Sequence, residues 1–319
     1  MNPLAVIFGG AVAVRNALYD RQIWKTHRLA RPVVSVGNLS TGGSGKTPFV
    51  IALGELLKER GIEFDVLSRG YGRLLKQIAV VDPQGEADEF GDEPLLIARK
   101  LQVPVIVGAD RYQAGLMAEK QFTSRLHLLD DGFQHRRLHR DFDILMLPAR
   151  DLQADLLPTG RLREPLTAMG RADAVVLESG VPAPTAAARV WRVSRETTVD
   201  SRFTGSVIAF CGIAHPDQFF TSLQAAGVKV LETVAFRDHH RYGQRDIERL
   251  LQLKAKTGAT GFITTEKDAI RLKRFPVELQ PLHAAELKLR IEDASLVVEE
   301  LLGSLNDLNE PQGPSGPSG

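Results

Sequence analysis

The chain has 319 residues, 43% of them apolar and 25% charged, with a formal net charge of +1. That length holds two ordinary domains or one large one, and the near-neutral balance creates no field that would gather nucleic acid. One cysteine, Cys211, excludes a disulfide framework and points to a reducing compartment.

The first predicted element is an N-terminal helix. Pro3 to Val14 carries no charge, and Leu4, Ile7, Phe8, Ala11, Val14 and Leu18 share one helical face. The run is too short to cross a bilayer, which takes about 20 residues, and it lacks the basic start of a secretory signal. Two readings stay open. The helix packs on the protein's own core, or it lies in a membrane interface with Arg15, Arg21, Lys25, Arg28 and Arg31 toward anionic lipid.

Next comes "PVVSVGNL", a strand-like run, followed by "STGGSGKTP" and a predicted helix over Lys46–Glu59. Strand, glycine turn, Lys-Thr, helix is the layout of a phosphate-binding loop. Glycines allow successive backbone N–H groups to point inward, and the positive helix end adds to the attraction. Thr41, Gly42, Gly43, Ser44, Gly45, Lys46 and Thr47 would form the cradle. Lys46 would reach the β- and γ-phosphates and Thr47 would ligate Mg²⁺. The match to G-x-x-x-x-G-K-[ST] is imperfect, because Ser40 holds the first glycine position. The loop lies closer to the variants of the MinD/ParA and dethiobiotin-synthetase group. Thr41 stands where MinD-type ATPases carry an extra lysine.

Further apolar runs follow: "EFDVLSRG", "VPVIVG" with a helix over Arg111–Lys120, "RLHLLDD", "FDILML" and "DAVVLES". Runs apolar throughout, alternating with helices, indicate parallel strands covered on both faces. "LLDD" places Asp130 and Asp131 at a strand end, where a carboxylate can hold Mg²⁺; the plain alternative is a turn. Between Ser179 and Ser201 the pattern weakens and prolines gather, which predicts a linker or domain edge. A second, smaller α/β series begins at "SVIAFCGIA" and runs through "TGFITT". The tail from Asn309 is Pro/Gly/Ser-rich and expected to be disordered. Cys211 reads as a buried structural thiol. His135 and His139 have helical spacing but too few companions for zinc. In "TTEKD" Lys267 and Asp268 are adjacent, which breaks the guanine-reading N/T-K-x-D spacing.

"VGNLSTGGSGKTP", "LSRGYGR", "GDEPLLIA", "LDDGFQHRRL", "LPTGRLREP", "FCGIAHP", "FRDHHRY" and "TTEKDA" occur in this order. Together they resemble the tetraacyldisaccharide 4'-kinases of lipid A biosynthesis, from about Pro3 to the low 300s. The resemblance implies transfer of the γ-phosphoryl group of ATP, with Mg²⁺, to the 4'-hydroxyl of tetraacyldisaccharide 1-phosphate, forming lipid IVA. It implies a peripheral enzyme on the cytoplasmic face of the bacterial inner membrane, with the N-terminal helix meeting the membrane surface. A monomer is expected, without nucleic-acid partners. The fold expected is α/β: a P-loop-containing, mostly parallel sheet domain, a second smaller α/β domain and an N-terminal amphipathic helix. The divisions are 1–30, 31–198, 199–306 and a tail, 307–319. The family's catalytic aspartate matches Asp92, which by itself reads first as a helix-capping acid beside Glu93. Its partner matches His239, with His240 as the competing choice. Arg69, Tyr71, Arg73, Arg111, Arg161 and Arg163 are candidates for the acceptor and its 1-phosphate, each arginine having the alternative of a surface charge. A MinD/ParA-like switch ATPase is the rival reading.

Overall fold

The protein's computed structural model describes residues 3–199, 205–272 and 277–307. The tail predicted from Asn309 lies outside the described residues. An N-terminal helix α1 (Pro3–Asp20) leads into β1 (Val33–Asn38), α2 (Lys46–Glu59), β2 (Phe64–Ser68), β3 (Ala79–Val80), α3 (Ala87–Phe90), α4 (Asp92–Leu101) and β4 (Val105–Val107). Then come α5 (Arg111–Gln121), β5 (Leu126–Asp130), β6 (Phe142–Met146), β7 (Ala174–Glu178) and β8 (Val190–Thr198). The remainder is β9 (Ser206–Cys211), α6 (Pro216–Ala225), β10 (Lys229–Ala235), α7 (Gln244–Thr257), β11 (Gly261–Thr265), α8 (Glu266–Arg271), β12 (Leu282–Ile291) and α9 (Ala294–Asp307).

Among the described residues these strands form one sheet in the order β10-β9-β11-β12-β8-β7-β6-β1-β5-β2-β4-β3. Only β3–β4 and β8–β12 pair antiparallel; the rest is parallel, as the run of doubly covered apolar strands predicts. Strand β1 is buried along its whole length. Its neighbours are β5 and β6, so the chain crosses from one side of β1 to the other after β5. In such sheets the crevice at the carboxyl ends of the strands, where the order reverses, is the usual ligand site. The phosphate loop leaves β1 at that edge, and register sets Val36 beside Asp130.

The stretch read as a linker contains a strand. Residues 182–189 are loop, but β8 follows, pairing parallel with β7 and antiparallel with β12. Strand β12 is long enough to serve both runs: residues Leu282–Ala285 pair with β11, and Glu286–Ile291 pair with β8.

Helix α1 is tethered by its second half. Asn16 Nδ2 donates to Glu164 Oε2 at 2.8 Å, Arg136 Nη1 donates to the Asn16 carbonyl at 3.0 Å, and Arg15 donates to the Gln134 carbonyl. Its apolar face stays out of the core: Ile7 is 68% exposed and Val14 62%. Val12 is the buried residue of the helix.

Candidate active site

The phosphate loop is shaped by its glycines. Gly45 caps α2 with φ 86°, a left-handed conformation that glycine adopts without cost. Thr47 is buried in the first turn. The Lys46 ammonium donates to Asn38 Oδ1 at 3.1 Å and lies 3.3 Å from Asp131 Oδ1. Helix end and lysine thus meet where an anion would sit.

The acid pair at the end of β5 divides into two environments. Asp130 is buried, and Ser68 Oγ donates to its Oδ2 at 3.1 Å, while its Oδ1 has no partner. Burial, then Glu93 and Asp131, push its carboxyl up to about 7. Asp131 is opposite in sense. Burial would raise it, but Lys46 and Arg163 hold it down to about 2. Its backbone is left-handed, φ 53°, a costly conformation for a non-glycine residue and one that gathers at functional sites.

Across the crevice, Asp92 opens helix α4 and is 5% exposed. His239 Nδ1 lies 3.2 Å from Asp92 Oδ2, so the two residues are in contact despite their distance in sequence. His240 is turned elsewhere: its Nε2 is 3.0 Å from Asp246 Oδ2, and its ring stacks on Phe236. His239 also sits in the left-handed region, φ 56°.

Two residues of α8 complete this corner, and sequence reading did not single them out. Arg271 donates to Asp92 Oδ2, to Asp268 Oδ1 at 3.0 Å and to the Gly212 carbonyl at 3.0 Å. Lys267 Nζ lies 2.6 Å from Glu93 Oε1 and 3.9 Å from Asp92 Oδ2. Burial alone would raise the Asp92 carboxyl; Lys267, His239 and Arg271 outweigh it and hold Asp92 below the usual carboxylate range. The block "TTEKDAIR" held the signal, since Lys267 and Arg271 fall four apart on one helical face.

The arginines separate by what they touch. Arg69 is exposed at the end of β2. Arg111 is buried, with its Nε unpartnered, and burial followed by the charge of Arg69 brings it down to about 10. Arg163 Nη2 reaches Asp131 Oδ1 at 3.3 Å and also donates to Asn38 Oδ1. Tyr71 is exposed and presents its ring edge to His239, centroids 5.2 Å apart. Arg111 and Arg163 thus lie near the Asp130–Asp131 pair, and Tyr71 lies beside His239. Arg73 turns inward instead, donating to the carbonyls of Gln77 at 2.7 Å and Lys76 at 3.2 Å. Arg161 grips the phosphate loop: Nη2 donates to the Thr41 carbonyl at 2.9 Å.

A family model described as LpxK, tetraacyldisaccharide-1-P 4'-kinase, matches residues 1–306. The chain is 49% identical to a tetraacyldisaccharide 4'-kinase of Koribacter versatilis, over 95% of this chain and 98% of that one. It is 38% identical to its counterpart in Aquifex aeolicus, over 91% and 93%. A crystal structure of LpxK from Aquifex aeolicus in complex with ATP has the same fold, with a TM-score of 0.78 at 36% identity, covering 96% of this chain and 97% of that one. Agreement at that level along nearly the whole length means that the chain belongs to the tetraacyldisaccharide 4'-kinase family.

Proposed function

We propose that this enzyme binds ATP in the loop around Lys46 and transfers the γ-phosphoryl group to the 4'-hydroxyl of tetraacyldisaccharide 1-phosphate, forming lipid IVA. The observation that carries the reading is the Asp92–His239 contact at 3.2 Å together with Asp130, whose carboxyl feels both Glu93 and Lys46, in a chain of this kinase family. Phosphoryl transfer has a loose transition state, so the protein mainly positions groups and neutralises charge. Asp92 accepts the hydrogen bond of the attacking hydroxyl and receives its proton late. A weak carboxylate base suffices there, because the proton leaves after bond formation has begun. His239 Nδ1 lies 3.2 Å from both Asp92 Oδ2 and Arg271 Nη2. Protonated, it donates to Asp92; neutral, it accepts from Arg271. The imidazole has a partner in either state and can share the proton.

Mg²⁺ fits the acid corner. Asp130 Oδ1 is buried and unpartnered, and burial with the charges of Glu93 and Asp131 raises its carboxyl. Thr47, Asp130 and Asp131 would hold the ion, which when bound neutralises phosphate charge. Arg69, Tyr71, Arg111 and Arg163 face the acceptor side. Arg111, buried with an unpaired donor, suits an anionic group such as the 1-phosphate.

Helix α1 serves as the approach to lipid. Its exposed Ile7 and Val14 enter the interface while the basic residues that follow meet anionic headgroups. Among the described residues no helix is long and apolar enough to cross a membrane, which fits a peripheral enzyme on the ATP-supplied, cytoplasmic face of the inner membrane. Residues 1–30, 31–198 and 199–306 act as anchor, phosphate-loop domain and closing domain. A monomer suffices, since Lys46, Asp92 and His239 come from one chain. The test uses γ-labelled ATP, Mg²⁺ and detergent-dispersed tetraacyldisaccharide 1-phosphate. Label should appear on the lipid; label recovered only as free phosphate would return the switch-ATPase reading.

A further inference from the structure

Ser40 stands where the usual phosphate loop has its first glycine, and the fold supplies that serine with a partner. Its hydroxyl donates to Asp151 Oδ2 at 2.5 Å. Asp151 lies in a short 3-10 turn, Ala149–Asp151, and its carboxylate has no solvent exposure. Its other oxygen, Oδ1, is 3.0 Å from Arg161 Nε. Arg161 then returns to the loop twice, through Nη2 to the Thr41 carbonyl at 2.9 Å and through its own carbonyl, which accepts the Thr41 N–H at 2.8 Å. One residue before Asp151, Arg150 donates to the Gly43 carbonyl.

A fully buried carboxylate paired with arginine is expensive in desolvation, and apolar residues of the same volume would support the fold as well. The contacts suggest what the pair does instead. A phosphate loop works only if its N–H groups converge on the anion, which requires its carbonyls to turn outward. A peptide flip at Gly42 or Gly43, both free to make it, would point an oxygen at the phosphate. Here the carbonyls of Thr41 and Gly43 are held by Arg161 and Arg150, and the Ser40 hydroxyl is held by Asp151.

We propose that Asp151 is a positioning residue for the phosphate loop: through Ser40 and Arg161 it fixes the loop with its amides inward before nucleotide arrives. The proposal rests on the reading that this loop holds the phosphates of ATP. It also moves Arg161 from the acceptor side to the nucleotide side.

Asp151→Asn removes the charge that pairs with Arg161, and its amide nitrogen meets Ser40 only if the hydroxyl turns to accept, giving up the bond it donates. The full chain should then bind ATP about tenfold more weakly, the worth of one charged hydrogen bond. The KM for ATP should rise in step, with kcat and the acceptor KM within about twofold and the melting temperature near wild type. Ser40→Ala should weaken ATP in the same direction by less, and the double variant should be no worse than Asp151→Asn alone. An unchanged ATP Kd in Asp151→Asn, or a fall in kcat without a change in Kd, would overturn the proposal. If Asp151→Asn does not fold, Ser40→Ala with wild-type Kd overturns it. Wild-type protein that binds no ATP would instead remove the reading beneath it.

Discussion

At the scale of residues, the corner around Asp92 is a study in competing terms. Burial favours the neutral acid, but one lysine, one arginine and one histidine keep the carboxylate charged. A group depressed in this way stays ionised at neutral pH, and the stability it lends is present above about 3.9 and lost as pH falls. Asp92 is therefore always ready to accept a hydrogen bond and is never a strong base. Asp92→Asn keeps the shape and removes the charge. It should lower kcat by about 10² or more while ATP binding, measured by calorimetry, stays within about twofold, because Lys46 and the loop amides are untouched. Equal loss of kcat and ATP affinity would show that Asp92 serves the nucleotide and not the hydroxyl. Asp92 and His239 were legible only through family blocks, since an acid opening a helix is also a plain cap. Arg271 was legible only as a residue sharing a helical face with Lys267, and its partners were not. Its contacts with Asp92 and Gly212 join segments far apart in the chain, and no local spacing reports them.

At the scale of elements, β1, β2, β5, β6 and β7 were legible because each is a short apolar run covered on both faces. Strands β8 and β12 were not. They carry Arg192 and Arg195 on half-buried positions and Lys288 and Arg290 on exposed ones, so no apolar run marks them. They are strands because they pair with each other and extend the sheet. Strands β2 and β5 hide a second device. His127 has no exposed surface; its Nδ1 is 2.8 Å from Asp65 Oδ1, and its Nε2 is 3.5 Å from Glu119 on α5. Burial opposes its charge, yet Asp65 and Glu119 raise its pKa overall. The stability from a raised histidine is complete below about 6.5 and lost as pH rises through the folded-state value. His127→Leu strands the Asp65 carboxylate in the core and should cost about 3–5 kcal/mol in urea unfolding at pH 6. The wild type should lose stability on the alkaline side of that window, and the variant should lack this component. A cost below about 1 kcal/mol would mean that Asp65 is not charged in the fold. Helix α1 makes a separate prediction. Ile7→Ser with Val14→Ser alters only exposed positions, so the melting temperature should hold, while sedimentation with anionic vesicles should weaken by about tenfold or more. Unchanged sedimentation would leave α1 without a lipid role.

At the scale of the molecule, two runs of parallel strands meet at the antiparallel pair β8–β12, and Asp92 and His239 come from opposite sides of the crevice between the runs. Contacts already cross that crevice: Lys267 to Glu93 at 2.6 Å, Lys100 to Glu266 at 2.6 Å, and Arg241 Nη2 to the Gly72 carbonyl at 3.1 Å. Periodicity made each run of strands visible in the sequence; how they join depends on long-range pairing, which periodicity does not encode. Closure of such a crevice excludes water and withholds the attacking group until the acceptor is in place. The central claim is that the terminal phosphate of ATP rests on Lys46 and faces Asp92 and His239 across this gap. A crystal structure with Mg²⁺ and a non-hydrolysable ATP analogue tests it most directly. The γ-phosphate should lie within hydrogen-bond reach of Lys46, its free face open toward Asp92. A γ-phosphate turned away from Asp92, or a loop left empty at saturating analogue, would contradict it.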